Sequence, residues 1–146
     1  MAQTSGAMSG AAFTIAAQFG GTGTYTDISG SSQSIEMPEL EIVTGEAYTP
    51  DSDTAIITYG KQKPFEITVN IVYTEVDTEA YKLLKDAWTG KILVSLKWQP
   101  KNSTGETYTT SAHRITKRQL PGGDASSGDT IICTFTMLCA SVTETL

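Results

Sequence analysis

The chain has 146 residues, 39% of them hydrophobic, and a formal charge of -6 at pH 7. That length fits one domain whose core needs neither metal nor disulfide support, and the acidic balance excludes tight binding to nucleic-acid phosphates unless a basic face is strongly segregated. No apolar run approaches the roughly 20 residues that span a bilayer, and the first basic residue after Met1 is Lys61, so no secretory leader is expected and a soluble protein made in the cytoplasm is.

Residues 1–12 are Ala, Gly, Ser and Thr with one glutamine and two methionines, too small and polar for a core element, and read as a flexible arm ahead of a single β-rich domain, 13–146. Phe13, Ile15, Ala17 and Phe19 alternate as a first strand. Gly20 to Ser34 reads as a Gly/Thr/Ser loop with Tyr25 and Ile28 exposed or docked elsewhere. Its Gly20-Gly21-Thr22-Gly23 lacks the spacing of a phosphate loop.

Glu39 to Thr44 predicts a strand that Pro38 starts at an edge or bulge. Gly45 to Asp53 reads as a turn or long loop, in which Asp51-Ser52-Asp53 lacks the glycine and distant glutamate of a calcium loop. Ala55 to Tyr59 predicts a β-branched strand, and Gly60 and Pro64 bracket a connection to the next.

Phe65, Ile67, Val69, Ile71 and Tyr73 alternate with polar neighbours, the period of a half-buried strand. Ala80, Leu83, Leu84, Ala87 and Trp88 then fall on one helical face, with Asp77 placed to cap the helix, Glu79 in its positive first turn and Gly90 placed to end it in a left-handed turn. Ile92, Val94, Leu96 and Trp98 alternate again, giving a strand, helix, strand unit. Both tryptophans are expected in the core.

Pro100 to Gly105 is turn-rich, and its Asn102-Ser103-Thr104 sequon is expected to have no consequence, since no secretory leader is expected. Thr107 to Thr116 has β-propensity throughout and predicts a hairpin with the preceding strand. His113, the only histidine, has no second ligand at metal spacing and reads as structural. Pro121 to Gly128 is a loop, and Thr130 to about Val142 a last strand with Ile131, Cys133, Phe135, Met137 and Cys139 on one face. Cys133 and Cys139, six residues apart on that strand, lie roughly 20 Å apart at ~3.3 Å per residue, too far for a disulfide. The sum is a mainly β chain, a sandwich or barrel of about seven strands with one flanking helix, without catalytic, cofactor or metal residues.

In order and punctuation these elements resemble the tail tube proteins of long-tailed bacteriophages, over about Ile35 to Thr145. The resemblance rests on the acidic strand Glu39-Leu40-Glu41-Ile42-Val43, the loop to Tyr59-Gly60, the strand Phe65 to Tyr73 and the helix 79–88. Val94-Ser95-Leu96-Lys97-Trp98 with its turn, Ser111-Ala112-His113-Arg114-Ile115-Thr116, and the strand opened by Gly128-Asp129 complete it. It implies a structural virion protein without catalysis, located in the tail and assembled in the host cytoplasm. Hexameric rings would stack into a tube beside other tail proteins, and DNA would pass through the lumen without specific binding. The alternatives are a head-to-tail joining or capsid decoration protein with a similar β core, or a monomeric β-barrel that binds a small ligand.

The charge pattern is consistent with self-association. Ser31 to Gly60 holds six carboxylates (Glu36, Glu39, Glu41, Glu46, Asp51, Asp53) and no Lys or Arg, whereas Lys97 to Arg118 holds five cations and one acid, Glu106. An acidic and a basic segment on one chain let copies meet head to tail, which makes a ring when the rotation closes. Glu39, Glu41, Glu46, Asp51, Asp53, Lys97, Arg114, Lys117 and Arg118 are therefore the candidate inter-subunit residues. Glu66 and Asn70, on the polar face of the long strand, and Thr134 and Thr136, on that of the last, are the candidate lumen-facing residues. A hexamer would carry six times -6, or -36, which would repel phosphates from its wall. The arm 1–12, the loop 45–64 and the loop 120–128 are the segments expected to contact other subunits or rings.

Overall fold

Two strands with alternating side chains form the centre of the fold, seen in a computed structural model that describes residues 3–145. β6 (Phe65–Val72) and β10 (Ile132–Cys139) pair antiparallel along their whole length. Phe65 lies opposite Cys139, Ile67 opposite Met137, Val69 opposite Phe135 and Ile71 opposite Cys133. All eight are buried on one face, because a period of two sends alternate residues to opposite sides.

Around them the described residues form β1 (Thr14–Phe19), β2 (Thr26–Asp27), β3 (Ser32–Glu36), β4 (Ile42–Ala47), β5 (Ile56–Gln62), β7 (Val94–Gln99), β8 (Thr107–Thr110), β9 (Ile115–Arg118) and β11 (Val142–Thr145), with one helix, α1 (Ala80–Thr89). The strands make a four-stranded sheet, β3-β6-β10-β9, a five-stranded sheet, β11-β8-β7-β1-β2, and a separate pair, β4-β5. Ile15, Ala17, Val94, Leu96 and Trp98 of the five-stranded sheet join the buried face of β6 and β10 in one core. Each fully buried side chain of this size contributes about 1.5 to 3 kcal/mol, whereas the three ion pairs among the described residues, each with at least one exposed partner, add about 0 to 1 kcal/mol each. Apolar burial therefore holds the fold.

β6 and β7 lie in different sheets, so the strand, helix, strand unit links the two layers and α1 covers part of the core. The helix buries Ala80, Tyr81, Leu84 and Ala87. Tyr81 packs edge-on against Tyr73 at 4.8 Å and tilted against Phe135 at 6.1 Å. Trp88, expected in the core, is 38% exposed instead. The helix is rotated to bring Tyr81 inward, an amphipathic ring that a simple apolar count leaves out.

The helix ends also differ from expectation. Asp77 forms no cap and lies 3.9 Å from Lys82. The Ala80 amide donates instead to the buried Ser31 Oγ at 3.1 Å, so the cap comes from the segment entering β3. Gly90 is right-handed, φ -83 and ψ 0, and the left-handed residue is Lys91, φ 55. A Cβ at Gly90 would stand 3.2 Å from the Asp86 carbonyl oxygen, which favours glycine there for space.

The described residues form eleven strands where about seven are expected, for three reasons. The stretch 20–34 carries β2, and a polar strand, β3, begins inside it at Ser32; Ile28 is buried and Tyr25 is docked on its own chain, its hydroxyl 3.0 Å from Ser95 Oγ. The run 107–116 breaks at Ser111 to Arg114 and crosses to the other sheet, and the last strand does the same between Cys139 and Val142. Both crossings share one corner. There the Ser111 amide donates to the Ser141 carbonyl, and the Ala140 amide donates to His113 Nε2 at 3.1 Å. His113 is a bracket between two chain reversals. Residues 3–12 are exposed and hold one 3-10 turn, Gly10–Ala12, capped by Ser9.

Replacing Ser31 by Ala leaves the Ala80 amide buried without a partner, and urea unfolding is expected to register a loss of about 1 to 2 kcal/mol.

Candidate assembly interface

The segment expected as the loop 45–64 is a hairpin. β4 and β5 pair antiparallel, with Thr44 opposite Tyr59, Glu46 opposite Ile57 and Ala47 opposite Ile56. The β-branched run 56–58 supplies the second strand, and the first is displaced from 39–44 to Ile42–Ala47. Every residue of the pair is exposed except the half-buried Gly45. A Cβ on Gly45 would stand 2.7 Å from Thr58 Oγ1, so any larger residue there would force the Thr58 side chain to turn away.

A two-stranded hairpin is marginal alone in water, yet this one carries Ile42, Val43, Ile56, Ile57 and Tyr59 in the open, Tyr59 at 76% exposure. Of the sixteen exposed large apolar side chains among the described residues, eight fall between Met37 and Tyr59. That concentration makes the hairpin the candidate interaction surface. Glu46 lies on β4, Asp51 and Asp53 in the tip, and Glu39 and Glu41 on the approach to β4. Glu41 meets Lys63 at 3.2 Å, and Glu39 is exposed without an ion pair among the described residues.

The four-stranded sheet ends in two edges, β3 and β9, that no other strand of the described residues covers. The charges are sorted between them. Glu36, Glu39 and Glu41 lie at and beyond the end of β3; Arg114, Lys117 and Arg118 lie at the start of β9 and along it. Lys117 Nζ meets Glu66 at 3.3 Å, and the Arg118 guanidinium donates to the Tyr81 hydroxyl at 3.0 Å. Lys97 does not join this group. It is on β7 in the other sheet, its Nζ 5.0 Å above the Tyr25 ring.

Glu66, Asn70, Thr134 and Thr136 come together on the outer face of the same sheet, away from the core. Thr134 lies opposite Asn70 and Thr136 opposite Thr68. The Thr134 hydroxyl donates to Asn70 Oδ1 at 2.9 Å, and Asn70 Nδ2 donates to Ser34 Oγ at 2.8 Å. Thr68 and Thr136 hydroxyls are 3.3 Å apart, and Thr136 is itself buried. This face holds Glu36, Glu66 and Lys117, two carboxylates and one lysine, so it is polar rather than strongly acidic.

Among the described residues no group of three His, Cys, Asp or Glu could hold a metal ion. No helix there is long and apolar enough to cross a membrane. Cys133 and Cys139 are free and buried. Burial raises the Cys133 thiol against the opposing charge of Arg118. Burial also pushes Cys139 up to about 11, against a hydrogen bond involving Thr110. Both stay protonated at neutral pH and are poor nucleophiles.

No family model matches the sequence, and no curated protein matches it. In fold the chain is similar to a chain of the anti-feeding prophage baseplate, six-fold symmetrised, with 12% identity, 99% of this chain and 97% of that chain covered, and a TM-score of 0.76. It is similar to a chain of the PVC sheath–tube complex of an extracellular contractile injection system in its extended state, with 14% identity, 97% and 93% covered, and a TM-score of 0.73. It is also similar to the SPP1 tail tube protein, with 14% identity, 94% and 78% covered, and a TM-score of 0.63. The mainly β architecture with one helix is the tail tube fold, and the resemblance read from the sequence holds at that level.

The Cys139 thiol sets a pH limit on stability. The folded chain keeps this proton up to about pH 11, whereas the ordinary thiol value is 9.0. Between those values the unfolded chain binds fewer protons, so stability falls as pH rises. Denaturant melts taken from pH 8 to 11 are expected to show that decline, and Cys139→Ala, less stable at neutral pH, to show a shallower one.

Proposed function

We propose that this chain is a structural subunit of a tail tube, acting by assembly and not by catalysis. The observation that carries the reading is the four-stranded sheet with two open edges of opposite charge. An uncovered edge is a row of unpaired backbone donors and acceptors that another strand satisfies. β3 meeting β9 of the next copy is a heterologous contact, and such contacts close into a ring when the rotation allows.

Strand direction supports the closure. Each neighbouring pair in β3-β6-β10-β9 is antiparallel, so the two edge strands run in opposite senses. Rotation about a ring axis preserves each strand's sense along that axis. β9 of one copy therefore meets β3 of the next antiparallel, and the alternation continues round the ring without a break. The six-fold arrangement in the anti-feeding prophage assembly supports a hexamer.

Because the core occupies one face of this sheet, the face bearing Glu66, Asn70, Thr134 and Thr136 is left to line the channel. Its amide and hydroxyl groups bond to each other, and Lys117 is paired with Glu66. Such a wall offers passing DNA few free donors and no unneutralised cation. The hairpin β4-β5, with the arm 1–12 and the loop 120–128, reaches other subunits and adjacent rings, together with other tail proteins in the virion. Stacked rings then form the conduit for DNA ejection.

The purified protein is expected to form rings or filaments in negative-stain micrographs as its concentration rises. Monomers at every concentration and salt level would overturn the reading in favour of a monomeric binder. Ile57→Asp with Tyr59→Asp is expected to abolish assembly while shifting monomer stability by no more than about 1 kcal/mol, about 0.5 for each exposed side chain.

A further inference from the structure

Beside β9, at the C-terminal end of α1, lies a pocket of roughly 330 Å³ lined by Trp88, Thr89, Lys91, Arg114 and Arg118. Three cations and an exposed indole meet there with no acidic side chain in the lining. Arg114 and Lys91 form no ion pair among the described residues, and Arg118 Nε is buried without a hydrogen-bond partner. The carbonyl end of the helix favours cations, but three in one pocket repel each other and call for an anion. The indole adds an apolar wall.

We infer that this pocket receives the acidic segment that leaves β3 in the adjacent copy, with the Glu39 carboxylate between Arg114 and Lys91 and Leu40 against Trp88. The inference rests on the tube reading and specifies its ring contact. With β3 of the neighbour antiparallel to β9, the chain beyond Glu36 passes the N-terminal end of β9, and Arg114 immediately precedes that strand. Charge and polarity match along this stretch. Glu39 has no ion pair of its own, Glu41 is held by Lys63, and Leu40 is exposed beside them. Trp88 and Leu40, both in the open on the monomer, cover each other in the ring.

The test is a charge exchange, read by sedimentation velocity and negative-stain microscopy. Arg114→Glu alone and Glu39→Arg alone are each expected to raise the concentration at which rings appear by about tenfold or more, because a like-charge contact replaces an attractive one. The double variant is expected to restore assembly to within about threefold of the parent. Both positions are exposed, so thermal melts of the monomers stay level; if either fails to fold, Lys91→Glu with Glu39→Lys repeats the exchange. Single variants that assemble like the parent overturn the pocket assignment and leave the tube reading standing. So does rescue of Arg114→Glu by Asp53→Lys in place of Glu39→Arg, which would assign the pocket to the hairpin tip. A parent protein that never assembles overturns both.

Discussion

The pairing of β6 with β10 is the constraint on which the rest of the molecule depends. Eight residues of each strand run in full antiparallel register and turn Phe65, Ile67, Val69, Ile71, Cys133, Phe135, Met137 and Cys139 to one side. A one-residue slip of β6 would expose Phe65, Ile67, Val69 and Ile71 and bury Glu66 and Asn70. That register commits one face of the sheet to the core. The other face and the two edges remain for whatever the chain does with its surroundings.

The second sheet and the helix complete the burial of that committed face, and the links between layers are short. The capping of α1 by Ser31 ties the approach to β3 to the helix, so the edge strand and the helix beside the opposite edge are set by one interaction. At the other end, the corner where β8 passes to β9 and β10 to β11 is held by Ser111, His113, Ala140 and Ser141. Two chain segments change sheet at the same place because each crossing supplies partners for the other's backbone. The edge strand β9 is aimed by that corner.

Much of this was readable from periodicity. β6, α1, β7 and β10 stand close to where the apolar spacing of the residues puts them, because each turns an apolar face to the core, although Ile92 and Ile131, expected on the faces of β7 and β10, precede those strands and are exposed. The misreadings have physical causes. β3, Ser-Gln-Ser-Ile-Glu, is a strand through backbone pairing with β6 and has almost no apolar side to announce it. The crossings at Ser111 to Arg114 and at Ala140-Ser141 lie inside stretches of continuous β-propensity, and propensity does not say when a strand changes sheet. β4-β5 reads in part as a loop, since a hairpin exposed on both faces has no alternation. Trp88 pointed outward because Tyr81, half apolar and half polar, took the place beside Phe135.

The sequence by itself determined the class of the fold, the burial of the two unpaired cysteines and the division of charge into an acidic and a basic segment, since periodicity and composition are local properties. Only the tertiary structure decided that these segments lie at opposite edges of one sheet, that Lys97 belongs elsewhere, and that Glu66, Asn70, Thr134 and Thr136 share a face. The reason is sheet order: β3-β6-β10-β9 is set by pairings between residues tens of positions apart, where side-chain packing, and not the chain's own sequence of elements, chooses the neighbour.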